Sequence, residues 1–304
     1  MSRDGTTGDG ATRYLVTGAA GMLGRDLQHA LAGREVTALT RAELDITDAS
    51  AVRDAVAEHD VVINAAAYTD VDGAETHEAD ATAINGTGVE NLARAAADQG
   101  AKLVTVSTDY VFDGTATEPY REDAARDPIN AYGRSKAVGE RLALAAHPRG
   151  TYVVRTAWLY GAGGANFAAT MLRLAADKPT VSVVDDQRGQ PTWTADLAAK
   201  IVELVDADAP AGIYHGTNAG QTTWFGFARA IFEQAGLDSE RVHPTDSASF
   251  VRPARRPAYS VLGHDAWARA GLQPMRSWGE ALAAAWASGA LEADADAPTG
   301  TAPR

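Results

Sequence analysis

Gly18, Gly21 and Gly24 stand between a short apolar run, Arg13 to Thr17, and a helical pattern carried by Leu23, Leu27 and Leu31. Glycines spaced three apart permit a tight turn, close approach of backbone to a pyrophosphate, and close packing of a helix on a strand. The spacing alone is a weak signal. Its position, after a strand and opening a helix, is the context that a dinucleotide site requires. The same strand-then-helix unit recurs. Val36 to Leu39 precedes a helix from Asp48, Val61 to Ile63 a helix ending near Gln99, and Leu103 to Val106 a helix over Tyr132 to Ala146, after which Val153 and Val154 follow.

Alternating strands and helices predict a parallel sheet covered on both faces, and right-handed crossovers make it doubly wound. The expected class is α/β, a doubly wound parallel Rossmann sheet with a smaller α/β substrate region. Beyond Gly161 the pattern loosens into helices over Phe167 to Ala176, Thr194 to Val205, Trp224 to Ala235 and Ser277 to Ser288. The expected division is a disordered leader at 1–12, an NAD(P)-binding Rossmann domain at 13–160, a mainly substrate-binding region at 161–288, and a disordered acidic tail at 289–304.

Several functions are excluded. The 304 residues contain no cysteine, which rules out a disulfide framework, a thiolate metal site and a cysteine nucleophile. A formal charge of −13 argues against nucleic acid as a partner. No apolar stretch approaches the length of a membrane span and Met1 to Gly10 has no apolar run, so the expected place is the cytoplasm. The histidines show no metal-like spacing, and Asp185-Asp186 reads as loop chemistry, so no metal site is assigned.

At the end of the second strand, where an acidic residue would hold the ribose hydroxyls of NAD, the sequence reads Leu39-Thr40-Arg41. Arginine there suits a 2′-phosphate and predicts a preference for NADPH, with Glu43 and Asp45 near enough to leave NADH usable. Arg41, Asp45 and Ile46 are accordingly assigned to the cofactor with Gly18, Gly21 and Gly24. Tyr132 and Lys136 lie four apart at a helix start, so their side chains share a face. A nearby ammonium favours phenolate, and the expectation is a tyrosine with lowered pKa that donates a proton to a carbonyl oxygen as hydride arrives. Lys136 would also hold the cofactor ribose. Thr108 ends the fourth strand, on the side where ligands bind in such sheets, and would orient the carbonyl.

Several further segments occur in order: Asn64-Ala65-Ala66-Ala67-Tyr68-Thr69-Asp70-Val71-Asp72, Ser107 to Gly114, Arg155-Thr156-Ala157-Trp158-Leu159-Tyr160-Gly161, Asp186 to Thr192, and Arg255-Arg256-Pro257-Ala258-Tyr259-Ser260. With the glycine loop and the Tyr132 to Lys136 segment, they resemble the extended short-chain dehydrogenases/reductases, and within them the dTDP-4-dehydrorhamnose reductase family. The likeness spans roughly residues 13 to 285. It implies that Met22, Leu23, Ala65, Ala66, Ala67 and Thr69 line the cofactor beside Tyr132 and Lys136. Val71, Thr108, Asp109, Tyr110 and Trp158 would surround the sugar, and the cluster Arg252, Arg255 and Arg256 would clamp a pyrophosphate, with Arg256 assigned to substrate.

Related dehydratases carry an acidic pair after the hydroxyl residue, whereas here Asp109 is followed by Tyr110, which leaves half of that pair and disfavours elimination. The implied reaction is NADPH-dependent reduction of the C4 keto group of dTDP-4-dehydro-L-rhamnose to dTDP-L-rhamnose. Twenty-three arginines against four lysines suggest a GC-rich genome and a second reading, reduction of a related dTDP-4-keto-6-deoxysugar in antibiotic biosynthesis of the dihydrostreptose type. A third is a non-catalytic nucleotide-binding subunit, which the intact Thr108, Tyr132 and Lys136 argue against. The expected partners include a second copy of the chain as a homodimer, and the resemblance implies magnesium in some members.

Overall fold

The computed structural model describes residues 11–291; most of the expected leader and acidic tail lies outside the described residues. The chain begins with β1 (Arg13–Thr17), α1 (Met22–Ala30), β2 (Glu35–Leu39), α2 (Ala49–Val56) and β3 (Val61–Asn64). It continues through α3 (Glu78–Thr82), α4 (Val89–Gln99), β4 (Lys102–Thr108), α5 (Ala131–Ala146) and β5 (Thr151–Thr156). The second half adds β6 (Leu159–Tyr160), α6 (Phe167–Asp177), β7 (Val181–Val184), β8 (Arg188–Gly189), β9 (Thr192–Trp193) and α7 (Thr194–Asp206). It ends with β10 (Gly212–His215), β11 (Thr222–Thr223), α8 (Trp224–Gln234), β12 (Val242–Thr245), α9 (Asp265–Arg269) and α10 (Trp278–Ala287).

Local sequence explains where these elements start. Asp48 caps α2 by accepting from the Ser50 and Ala51 amides, and Asn130 caps α5 by accepting from Gly133 N at 2.8 Å. The β-branched runs of β3 and β5 are buried throughout, as central parallel strands require. All pairings in the main sheet are parallel, in the order β10-β5-β4-β3-β1-β2. The order reverses between β1 and β3, so a ligand crevice is expected outside the carboxyl ends of those strands. The doubly wound class read from the sequence is the observed one.

One hydrophobic layer packs Leu23 and Leu27 of α1, and Leu31 at its C-terminal cap, with Leu197, Ile201 and Leu204 of α7 against one sheet face. The other packs Val52, Val56, Val89 and Leu92 from α2 and α4 on the opposite face. A separate core joins Met171, Phe227, Phe232 and Leu282 in the second half of the chain. The boundary expected at residue 160 is crossed by two elements: β10 pairs with β5 as an edge of the main sheet, and α7 covers α1. Their apolar patterns show in the sequence, but which surface they bury is a tertiary choice.

Candidate active site

The glycine loop joins β1 to α1 at the predicted crevice. Gly18 has φ +72°, and a Cβ there would lie 2.6 Å from Ala66 N; one at Gly24 would lie 2.2 Å from the Gly18 carbonyl oxygen. Only hydrogen fits at either position, so β1, β3 and α1 meet as closely as backbone allows. The α1 N-terminus begins at Gly21 with no side-chain cap, which leaves its amides free for an anion. Ala65, Ala66 and Ala67 follow β3 and are half-buried beside this loop, while Thr69 is exposed. Leu23 and Ile46 need a correction in kind. Both side chains are buried in the two sheet cores, so only their backbones can face a cofactor.

Arg41 is exposed just after β2. The Glu43 carboxylate accepts from Thr40 N and Oγ1, both at 2.8 Å, and Asp45 accepts from Thr47 N and Oγ1. These turns hold both carboxyl groups below their ordinary range, so they are ionised but committed to their own loop. Arg41 is the only group of the three without such a commitment.

Thr108 ends β4, and Tyr132 and Lys136 occupy the first turns of α5. Their approach depends on Gly133: a Cβ there would sit 2.1 Å from the Tyr110 carbonyl oxygen, so the helix rests directly on the backbone after Thr108. The Tyr110 and Tyr132 rings meet edge to face, with centroids 6.1 Å apart. Thr108 Oγ1 donates to Asp109 Oδ1 at 2.9 Å and accepts from Tyr110 N, and the same hydroxyl faces the Tyr132 phenol. Lys136 Nζ donates to the Val106 carbonyl oxygen at 2.7 Å.

The lowered phenol pKa expected from Lys136 is overturned. Burial, and then the charge of Asp109, push Tyr132 above its ordinary value, with the Thr108 hydroxyl opposing. The ammonium is turned to Val106, and burial lowers its own pKa to about 8 against the pull of Glu140. Tyr132 is therefore a neutral phenol at physiological pH, which is the form able to give a proton to an oxygen gaining charge. Asp109 is buried and pushed up to about 6, with the Ser260 and Thr108 hydroxyls opposing. Its Oδ2, and Thr156 Oγ1 across from Thr108 on β5, are buried with no hydrogen-bond partner among the described residues.

On the substrate side, Asp72 draws two arginines of the basic cluster together. It accepts from Arg252 Nε at 2.9 Å, from Arg256 Nη1 at 3.0 Å and from Ala254 N at 3.0 Å. Arg255 is exposed, and its carbonyl accepts from the capping residue Asn130, tying this loop to the start of α5. Arg256 lies close enough to Tyr110 for its charge to act on that phenol. Trp158 has φ +45°, a strained value for a bulky residue, and stacks on Trp224 with centroids 3.6 Å apart and planes 10° from parallel. One face of the indole that the sequence reading offered to a sugar is thus occupied by Trp224. Val71 is half-buried next to Asp72.

Sequence reasoning missed Asn85, Asp72, Trp224 and the pair Glu140 and Arg155. Asn85 lies in a π-turn, Ala83–Gly88, between α3 and α4. Its amide donates to Tyr68 O and to Ser135 Oγ, and Ser135 Oγ donates to Tyr132 O. A single chain gives no signal for such a turn. Glu140 did leave one, because it extends the four-residue spacing of Tyr132 and Lys136 along the same face of α5. No cluster of three or more histidines or carboxylates arranged for a metal occurs among the described residues, so nothing supports the magnesium that the resemblance implied.

Residues 12–290 match the model of the RmlD substrate binding domain. A dTDP-4-dehydrorhamnose reductase of Streptomyces griseus is 55% identical over 278 residues, covering 89% of this chain and 91% of the relative. A dTDP-4-keto-6-deoxy-D-glucose reductase of Streptomyces niveus is 51% identical over 278 residues, covering 90% and 96%. Among solved structures, dTDP-4-dehydrorhamnose reductase from Bacillus anthracis in complex with NADP superposes with a TM-score of 0.88 at 40% identity, covering 91% of this chain and 99% of that one.

Proposed function

We propose a function from one premise: the chain belongs to the RmlD substrate binding domain family, the dTDP-4-dehydrorhamnose reductases among the extended short-chain dehydrogenases/reductases. It is an NADPH-dependent oxidoreductase that reduces the C4 keto group of dTDP-4-dehydro-L-rhamnose to dTDP-L-rhamnose. The observation that carries this reading is the half-buried Tyr132 beside the Thr108 hydroxyl, at the same carboxyl end of the sheet as the glycine loop. A reaction that consumes NADPH and a nucleotide sugar suits the cytoplasm, and a homodimer belongs to the same proposal.

The residues present fit a dinucleotide. The glycine loop leaves a cradle that a Cβ would fill, and uncapped α1 amides suit a pyrophosphate. Bound there, the nicotinamide supplies the hydride. The chain supplies the rest. Tyr132 donates its phenolic proton to the C4 oxygen as negative charge develops, which removes the charge as it forms. Thr108 accepts from or donates to that phenol according to the ionisation of Asp109, which holds the hydroxyl hydrogen in the ionised state. Lys136, fixed by Val106 O, has two N–H groups left for the cofactor ribose. Unpartnered Asp109 Oδ2 and Thr156 Oγ1 suit the hydroxyls of a sugar. Arg256, with Arg252 and Arg255 near it, serves the diphosphate.

Two experiments test this proposal. Purified enzyme given NADPH and dTDP-4-dehydro-L-rhamnose should oxidise the cofactor and release dTDP-L-rhamnose; no turnover with it, together with turnover of another dTDP-4-keto-6-deoxysugar, moves the assignment to the antibiotic-type reading. The 51% identity to the Streptomyces niveus reductase is what keeps that reading in play. Turnover of either sugar excludes a non-catalytic subunit. For the cofactor, Arg41→Ala should raise the KM for NADPH on the order of tenfold, the loss of one exposed charge-assisted contact, and leave that for NADH nearly unchanged. Equal effects on both cofactors would remove Arg41 from the 2′-phosphate.

A further inference from the structure

Behind Thr108 and Lys136 lies a buried ionic cluster that the proposed reaction does not use. Glu140 Oε1 accepts from Ser107 Oγ at 2.6 Å and from Arg155 Nε at 2.9 Å, while Oε2 accepts from Arg155 Nη2 at 2.8 Å and from Arg126 Nη1 at 3.1 Å. Glu140 and Arg155 are each about 1% exposed at the side chain. Arg155 Nη1 also donates to Glu122 O and meets His215 Nε2 at 3.3 Å; His215 Nδ1 faces Gly263 O, and burial pushes this imidazole down to about 3, so it is neutral. A buried ion pair is poor evidence of stabilisation in itself, because desolvation offsets the attraction. Its place here is what matters.

We propose that Glu140 is a positioning residue for the reaction, a carboxylate locked one helical turn beyond Lys136 that keeps the buried ammonium charged without hydrogen-bonding it. This rests on the reductase reading above. The four acceptor positions of the carboxylate are filled by Ser107, Arg126 and Arg155, which leaves none to take a proton of Lys136. The lysine instead anchors one N–H on Val106 O and keeps the others for ligand. The two side chains line the same narrow void, with Asn85, Thr105, Ser107 and Gly139, and it has no room for a water molecule. Both residues are buried, and an attraction between buried charges is stronger than in bulk water.

Other titratable or charged groups surround this pair. Tyr132 shares the helix face, Asp109 follows β4, Arg155 comes from β5, and Arg126 reaches in from the loop before α5. Of these, the Glu140 carboxylate is the one that raises the Lys136 pKa, against the burial that lowers it. Burial works to raise the Glu140 carboxyl too, but Arg155, Ser107 and Arg126 overcome it and hold the group ionised.

The chain has four lysines, Lys102, Lys136, Lys178 and Lys200, so labelling lysine with 13C at the ε position gives few NMR signals, read without any substrate. In Glu140→Gln the Lys136 signal should titrate about one pH unit lower than in the wild type, and the alkaline limb of kcat should move to lower pH by the same amount. If the single variant does not fold because Arg155 is left unpaired, Glu140→Gln with Arg155→Met removes both charges and should shift the signal in the same direction by a smaller amount, since loss of the Arg155 cation opposes it. An unchanged Lys136 titration in whichever variant folds overturns the proposal and leaves Glu140 as a structural partner of Arg155. A wild type that turns over no keto sugar would instead defeat the reductase reading, and the lysine titration would still be legible.

Discussion

Replacing Tyr132 with phenylalanine should lower kcat by about 10²- to 10⁴-fold, the usual range for a lost general acid. The ring and its edge-to-face contact with Tyr110 survive the change, so folding and NADPH binding should stay near wild type. The effect should appear in kcat more than in KM, because the phenol interacts with the oxygen most strongly once charge has developed. Because the phenol is neutral in the folded protein and its pKa is raised, wild-type reduction should show no acidic limb from Tyr132 as pH falls toward 6. A steady-state assay at several pH values checks both statements. A Tyr132→Phe enzyme that is folded and retains wild-type turnover would remove Tyr132 from the chemistry.

The second large effect concerns stability. Arg155→Met should destabilise the fold by about 3–5 kcal/mol, the cost of leaving one partner of a buried pair uncompensated. At the size of this domain that lowers Tm on the order of 10 °C. The pH dependence has a definite sign. In the wild type the Glu140 carboxyl is held below its unfolded pKa, so its contribution is present above that value and lost as pH falls. In the variant, burial without Arg155 raises the folded pKa above the unfolded one, so the penalty is full at neutral pH and relieved as Glu140 takes a proton. The gap in Tm between the two proteins should therefore narrow toward about pH 4–5. A gap that stays constant with pH would mean that Glu140 is not the group left uncompensated.

The two predictions meet on α5. Tyr132, Lys136 and Glu140 stand on one face at four-residue intervals: a proton donor, an ammonium, and a carboxylate locked behind it. Gly133 lets the first turn of that helix rest on the Tyr110 carbonyl, and Asn130 caps it while holding the Arg255 loop. The proposed catalytic pair, the arginines assigned to substrate and the buried cluster are therefore arranged around one helix start.

What the sequence determined by itself is what depends on neighbours along the chain. Strand runs, helix periodicity and the glycine loop are local, and they specified the first five strands, the longer helices and the doubly wound class, whereas the short strands after Gly161 carry too few residues for a pattern to show. The four-residue spacing of Tyr132 and Lys136 likewise placed both on one face before any fold was known. Tertiary structure alone decided the rest. It returned β10 and α7 to the nucleotide half, because an apolar strand or stripe does not specify which surface it will bury. It turned Lys136 to Val106 and set Tyr132, half-buried, beside Asp109, which reversed the phenol pKa expected from spacing, since desolvation depends on everything that surrounds a group and not on its partner in sequence. It stacked Trp158 on Trp224 and assembled Glu140, Arg126 and Arg155 from a helix, a loop and a strand, contacts across 14 to 66 residues that no local pattern encodes.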